Sequence, residues 1–523
     1  SGRRSPAERR RLPPLPRRGK VRVMAGLALE DDDAFAALQA RLRPFSQVTE
    51  AGQLEERTVL AIPSLNYGEE VLGSHASELA ALEERFLYLV FALRRPGARL
   101  VLVTSEPIPE PVVDYYVGLI PEVPDARERF HLLTPAERSL RPLSRKLLDR
   151  PELLAELAAL AGDRDRAFIM PFNVRREERD LALVLGVPIY GVDSRFERYG
   201  TKTGSRRLFE SAGVPHPRGV NAIRTRAELA DALIALRAWR PGLEAAVVKH
   251  DDGVYGDGNH IVRLRDLPPP GTAEERAAVD VRLRSMRADY LRTLAQGGIV
   301  EEMIAGEIRS PSVQLRILPG GRPLVISTHD QVLGGAAGQS FVACTFPADP
   351  EYAALVVHEA RKVGDYLARQ GVMGRFGVDF IVARREHGWE PYAVEINLRE
   401  GGTSHPYGAL WLLTDGAMDD DKIAFRTPDG RAKHYFATDR LGDPAYRGIT
   451  IAKLLEAADA ERVGWDQQSQ TGAIFHMLSL LTSEGRLGVT AIADSPDEAQ
   501  EIYLRVVGLL DRLARRPPVA AAG

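Results

Sequence analysis

The chain has 523 residues, 44% apolar and 27% charged, with 69 Lys+Arg against 72 Asp+Glu and a net charge of −3. Such a balance is ordinary for a globular protein in water and supplies no overall basic field for nucleic acid. No apolar run approaches the roughly 20 residues that a membrane-spanning helix needs. The length accommodates roughly two to four domains. The single cysteine, Cys344, excludes an intrachain disulfide and a cysteine zinc site, and a reducing, cytoplasmic setting fits.

Residues 1–20 are rich in Arg and Pro, lack an apolar period, and read as a disordered basic tail. A nucleic-acid arm is the sharper alternative, but no aromatic residue is interleaved for bases to stack on. Residues 21–45 read as a strand and a short helix. From Thr58 the pattern becomes regular: strand 58–62, helix 76–93, strand 98–105, helices 111–119 and 151–161, strand 167–172, helix 175–185 and strand 187–192. Strands alternating with helices argue a parallel sheet, so a first α/β domain is placed at 45–195. A helix ending at Gly213 follows, then strand 245–250, a glycine-bearing loop, a further strand and a polar helix at 272–296. Strand 298–304, the pair SVQLRIL and PLVISTH, and helix 350–370 lead to a hairpin. The last α/β unit spans 445–515.

That hairpin, GVDFIVARREHGWEPYAVEINLRE, turns near His387 and places Asp379 opposite Glu395. Asn397 and Arg399 continue along the same face, because alternate side chains of a strand share a face. Phe380, Val382, Val394, Ile396 and Leu398 are expected on the other. Like charges directly opposite are destabilising, unless a divalent cation sits between them. Mg²⁺ takes oxygen ligands and binds one or two carboxylates with substrate phosphates. A charged face that keeps a hairpin edge soluble is the alternative.

Only eight lysines occur in the chain, so their positions are informative. Lys249 ends a strand before DDGVYGDGN, where Gly253, Gly256 and Gly258 permit close approach to phosphate oxygens. This is neither a Walker loop nor a dinucleotide fingerprint, and a flexible hairpin would look the same. Lys202 precedes A-G-V-P by ten residues. Glu301, Glu302, Met303 and Ile304 end a strand whose backbone could read a planar base.

Lysine before A-G-V-P, strand lysine with glycine loop, E-E-M-I, then D…E-x-N-x-R: this serial order resembles the ATP-grasp superfamily of carboxylate–amine ligases over residues 45–410. PSLNYGEEVLGSHASELAALEERFLYLVFALRRPGARLVLVTS, RSPSVQLRILPGG, STHDQVLGG and LGVTAIADSPDEAQ resemble the pheganomycin-type peptide ligases in particular. The resemblance implies an α/β ATP-grasp fold. It would comprise a Rossmann-like pre-ATP-grasp domain (45–195), a lid subdomain (196–297), a large subdomain with the metal site (298–415) and a C-terminal α/β extension (416–515). It also implies ATP and two Mg²⁺ ions, with Lys202 and Lys249 on the phosphates and Gly253, Gly256 and Gly258 in the loop closing over them. By the same resemblance Glu301–Ile304 read adenine, Glu307 binds the ribose, and Asp379, Glu395 and Asn397 hold the metals. Arg399 would steady the substrate carboxylate or its acyl phosphate. The loop departs from the family pattern in its acidity, with Asp251, Asp252 and Asp257.

The reaction implied is ADP-forming activation of a carboxylate as an acyl phosphate, then attack by an amine. The amine is expected to be a peptide N-terminus, with a free amino acid (dipeptide ligase) as the alternative and a carboxylate kinase as the weaker one. For the substrate pocket, Arg309, Ser310, Thr328, His329, Asp330, Thr403, Ser404 and His405 are singled out. His329 is the candidate to orient or deprotonate the amine. The expected partners are these two substrates, with no nucleic acid or membrane, and a second copy of the chain as a further candidate.

Overall fold

The computed structural model describes residues 28–47, 53–67, 72–73, 76–253, 258–334, 340–419 and 423–515. The basic tail, Gly256 and Asp257 lie outside these residues. Among the described residues no helix is long and apolar enough to cross a membrane.

The first domain carries four parallel strands, β1 (Thr58–Ile62), β2 (Arg99–Val103), β3 (Phe130–Leu133) and β4 (Ala167–Pro171), in the order β3-β2-β1-β4. Strand β1 is buried at every position, as expected of a central parallel strand covered on both faces. Three expectations shift here. The helix expected over 76–93 is α-helical only at Leu79–Glu84 and continues as a 3₁₀ segment, Arg85–Arg94. Residues 187–192 form a bridge, Ile169 to Ile189, rather than a strand. Strand β3 is an addition to the sequence reading, because FHLL is short and follows a charged stretch.

A second, four-stranded sheet is antiparallel: β5 (Gly219–Val220), β6 (Ala245–His250), β7 (Asn259–Arg263) and β8 (Gly298–Glu302), in the order β5-β8-β6-β7. The helix Lys202–Ala212 precedes it. Thr201 accepts a hydrogen bond from Gly204 N–H at its start, and Gly213 closes it at φ +65°.

The third sheet has nine strands. They are β9 (Ile308–Arg309), β10 (Pro311–Ile317), β11 (Pro323–Gly334), β12 (Ser340–Phe346), β13 (Gly374–Arg385), β14 (Gly388–Asn397), β17 (His434–Gly442), β18 (Gly472–His476) and β19 (Arg486–Ala493). Two short strands, β15 (Ala417–Met418) and β16 (Phe425–Arg426), pair with each other, and Arg426 also bridges Ala432. The main path is β14-β13-β10-β11-β12-β17-β19-β18, with β9 on β13. The C-terminal unit therefore continues this sheet through the β12–β17 pairing. Helix Pro350–Arg369 packs its apolar stripe on β10 and β11, burying Val356, Val357, Val363 and Leu367.

Candidate active site

Strands β13 and β14 form the expected hairpin around the two-residue turn Glu386–His387, and their register sets Asp379 opposite Glu395. Asp379 also faces Ser312 on β10. The register slips after Asp379, so that Phe380 pairs with Ala393 and Val394 is the extra residue of a β-bulge. The expected alternation breaks at this point. Val382 and Ile396 pack in the core beneath, Phe380 belongs to that core and also borders the cavity, and Val394 turns to line the cavity.

That cavity, ≈ 280 Å³, lies between the second and third sheets. Its floor holds the carboxylate pair. Asn397 donates from Nδ2 to Asp379 Oδ2 at 2.9 Å, and Gln331 donates from Nε2 to Asp379 Oδ1 at 2.9 Å. Burial first, and then the charge of Glu395, push the Asp379 carboxyl up to about 6. The Lys202 ammonium is buried and bonds Glu395 Oε1 at 2.5 Å and the Gly253 carbonyl at 3.0 Å. Lys249 pairs with Glu301, whose other oxygen accepts from Arg206 Nη1 at 3.0 Å. Gly253 and Gly258 pinch the loop base: a Cβ on Gly253 would stand 3.2 Å from Gly258 Cα.

At the opposite wall the Glu302 carboxylate is turned away, accepting from Arg218 N–H at 3.0 Å and pairing with Arg240. What the cavity meets there is backbone and the side chains of Met303 and Ile304. Met303 N–H is used by Ala245 O at 3.1 Å, whereas Ile304 N–H has no hydrogen-bond partner among the described residues. Arg399, Ser310 and Thr403 also line the cavity. Arg399 stacks over Phe172, 5.8 Å to the ring centroid, and donates to Glu400 O at 3.3 Å. In turn Glu400 N–H reaches Phe172 O of the first domain at 3.0 Å. The stretch after β14 is thereby tied to the first sheet.

The family model described as an ATP-grasp domain matches residues 201–403, and one described as the PGM1 C-terminal domain matches residues 453–506. A relative from Streptantibioticus cattleyicolor, L-propargylglycine–L-glutamate ligase, is 32% identical over 464 residues, covering 87% of this chain and 94% of the relative. The chain belongs to the ATP-grasp ligases. The fold agrees with solved members. N5-carboxyaminoimidazole ribonucleotide synthetase in its ADP complex matches with TM-score 0.52 at 13% identity, over 88% of this chain and 99% of that one. Biotin carboxylase from Campylobacter jejuni matches with TM-score 0.52 at 12% identity, over 88% of this chain and 95% of that one. As an ATP-grasp ligase of the pheganomycin type, the protein uses ATP and Mg²⁺ to couple a carboxylate to an amine and releases ADP.

Several residues singled out in the sequence lie away from this ligase's cavity. His329 is fully buried between Phe346 and Tyr435, and its Nε2 meets the Tyr435 hydroxyl at 2.6 Å. Burial drives its imidazole down to about 3. It is a neutral core histidine, not a base beside the reacting atoms. His405 is buried behind the loop it belongs to, its ring 4.4 Å from that of His476 and its Nε2 3.5 Å from Asp439 Oδ1. Thr328 is buried and its hydroxyl accepts from Ala348 N–H at 3.3 Å; Asp330 accepts from Asp349 N–H at 2.8 Å. Ser404 accepts from Gly401 N–H at 2.9 Å. Glu307 and Arg309 are exposed and pair with each other at 3.0 Å, off the cavity lining. Conversely, Gln331, Ser312, Gln314 and Phe341 line the cavity unforeseen. The pairing of β13 with β10, and of β10 with β11, delivers the first three, and a strand's partners are not written in its own residues.

Proposed function

We propose that this ligase joins two amino acids, phosphorylating the carboxylate of one and presenting the product to the amine of the other. The observation that carries the reading is the oxygen trio Asp379, Glu395 and Asn397 at one end of a cavity lined by Lys202 and Lys249. Support for amino-acid substrates comes from the relative, whose name gives L-propargylglycine and L-glutamate. A peptide acceptor is the second reading, supported by the resemblance of the sequence to peptide ligases.

The donor set fits magnesium. Asp379 and Glu395 face each other with their repulsion only partly offset by Lys202, and all three side chains of the trio offer hard oxygens. Asp379, Glu395 and Asn397 would together hold the magnesium, with Glu395 the carboxylate that would be shared between two ions. Bound magnesium neutralises charge on the phosphate oxygens. The chain's own groups do the rest. Ile304 N–H and the Met303 region hold the base, and Lys249 and Lys202 meet the phosphates, exchanging Glu301 and Glu395 for phosphate oxygens. Gly253 and Gly258 let the loop backbone close over them, which keeps water from the acyl phosphate. Arg399 holds the acyl group, with Thr403 and Ser310 at the cavity's far side. Phosphoryl transfer asks chiefly for such positioning and charge compensation. The lone, buried Cys344 and the need for ATP support a cytoplasmic setting.

The test is an ADP-release screen over paired amino acids and short peptides, with mass spectrometry of products. ADP release that requires both a carboxylate and an amine, with an amide product, bears the reading out. ADP release without any amine, yielding a phosphorylated acid, overturns it in favour of a kinase.

A further inference from the structure

In an open parallel sheet, ligands settle outside the carboxyl ends of the strands where the strand order reverses. The order β3-β2-β1-β4 reverses between β1 and β4. The loops following these two strands are locked together: Asn66 N–H donates to Asn173 Oδ1 at 3.0 Å, and Asn173 Nδ2 donates to Asn66 O at 2.8 Å. Beside them opens a second recess of ≈ 80 Å³, lined by Tyr67, Asn173 and Arg175 from the first domain. Its other wall holds Glu395, Asn397 and Arg399, which also line the ATP cavity, together with Asp251 and Asp252. Asp193 lies there too but pairs with Arg179 and Arg195, and Asp251 accepts from Thr203 N–H at 2.8 Å. The recess thus adjoins the ATP cavity, sharing Gly253, Glu395, Asn397 and Arg399 with it, and reaches the first domain on its other side.

Arg175 is the cation that the first domain brings to this recess. Its guanidinium pairs with Glu197 and is a quarter exposed, and Arg399 is near enough to act on it electrostatically. Glu197 is itself half exposed, 47%, so an incoming anion can displace it to water. Two guanidiniums converging on one recess present the forked donors that carboxylates match in a bidentate manner.

We infer that Arg175 is a specificity-determining residue that binds the non-reacting carboxylate of an amino-acid substrate in the recess between the first domain and Arg399. This inference rests on the ligase reading proposed above. The donor's spare carboxylate and the acceptor's own carboxylate offer the same chemistry, and the experiment separates them.

Arg175→Met is suited to the test because the helix start at this position is capped by backbone, Arg175 N–H donating to Glu178 Oε2 at 2.8 Å. The amino-acid pair that turns over in the wild-type screen is compared with versions in which the spare carboxylate of the donor, or that of the acceptor, is a carboxamide. For one of the two substrates, R175M lowers kcat/KM by roughly 30-fold or more, the loss expected for truncating one side of a desolvated charge pair. Towards that substrate's carboxamide the variant and the wild type differ by less than about threefold, and KM for ATP stays within about twofold. R175K recovers part of the loss, since it restores charge without the fork. The substrate whose carboxamide erases the difference identifies the source of the carboxylate. Equal losses on acid and carboxamide, or no loss on either while the wild type turns over, overturn the inference and leave ligation standing. A wild type that makes no amide with any amino-acid pair overturns the two-amino-acid reading and takes this inference with it.

Discussion

Asp379 on β13 and Asp439 on β17 are recessed carboxylates in the same nine-stranded sheet, and their proton affinities move in opposite directions. Burial alone would raise both. Asp379 faces a second carboxylate, Glu395, so burial and repulsion add and its carboxyl rises to about 6. Around Asp439 burial is overcome by three nitrogen groups, and its carboxyl is held well below the usual range. The buried Arg85 guanidinium donates to its Oδ2 at 2.7 Å, His476 Nε2 lies 2.8 Å from Oδ1, and His405 stands beside them. One cluster is charge-balanced by the chain itself and joins the 3₁₀ segment of the first domain to the C-terminal strands. The other carries a repulsion that Lys202 offsets only in part, and a bound cation would remove the rest. Strain stored at one place and satisfied at the other marks which is the site and which is the brace.

Substitution at the two positions should therefore break the molecule in different ways. Asp379→Asn is expected to lower amide formation by about 10³-fold or more, since several kcal/mol of charge compensation leave with the ligand. The repulsion with Glu395 leaves with it too, so the melting temperature of the ligand-free protein should hold or rise. Activity within tenfold of wild type would remove Asp379 from the metal seat. Asp439→Asn does the reverse. It removes the carboxylate that pairs with the buried Arg85 guanidinium, 3% exposed, at 2.7 Å, a loss of about 3–5 kcal/mol in comparable cases. Thermal and denaturant unfolding should show it as a large drop, while the folded fraction turns over within about threefold of wild type.

The pH response sharpens the same contrast. A carboxyl raised in the folded state binds a proton there that the unfolded chain releases, so stability is lost as pH rises. Asp379 at about 6, and Glu83 and Glu84, which burial raises to about 7, all act with this sign. The melting temperature of the ligand-free protein should therefore fall as pH rises from about 5 to about 7.5, and D379N should flatten the lower part of that slope. Magnesium competes with the proton on Asp379, so its apparent affinity should weaken below about pH 6, by up to about tenfold per unit. Asp439 stays ionised throughout and contributes no slope in this window. A D379N profile that superimposes on wild type would show that Asp379 does not titrate there.

The site is legible in the sequence where it rests on local geometry. A polar turn between two alternating strands marks the hairpin and brings Asp379, Glu395 and Asn397 close together, although the two-residue turn alone would set Asp379 opposite Val394 and the bulge supplies the final step to Glu395. Lys202 and Lys249 stand out because lysine is scarce. What the sequence hides is non-local. The bulge that turns Val394 into the cavity depends on how β13 is held by β10. Arg85 and Asp439 are 354 residues apart, and nothing in either segment announces the other. The C-terminal unit reads as a separate α/β piece because β12 and β17 pair across a gap that periodicity does not see. Arg175 opens the expected helix after strand 167–172, and the switch-point rule draws attention to it only when the strand order is known. His329 and His405 mislead because sequence order does not show which way a side chain faces: one is expected after a strand and the other in the loop beyond the metal ligands, and both rings point into the core.

His329 allows the smallest and cleanest check. On β11 it pairs with Ser312, the β10 partner of Asp379, yet its ring lies in the aromatic cluster of Phe346 and Tyr435. With its imidazole near 3 it is neutral at any working pH, so it has no proton to give or take in the reaction. His329→Phe keeps roughly the ring's bulk and removes the contact to the Tyr435 hydroxyl, leaving that hydroxyl buried without its partner. The expected cost is about 1–3 kcal/mol of stability. The kcat should stay within about twofold, and the pH–rate profile between pH 6 and pH 9 should keep its shape. A lost limb in that profile would return His329 to the chemistry, because removing a neutral core residue cannot delete an ionisation from the rate.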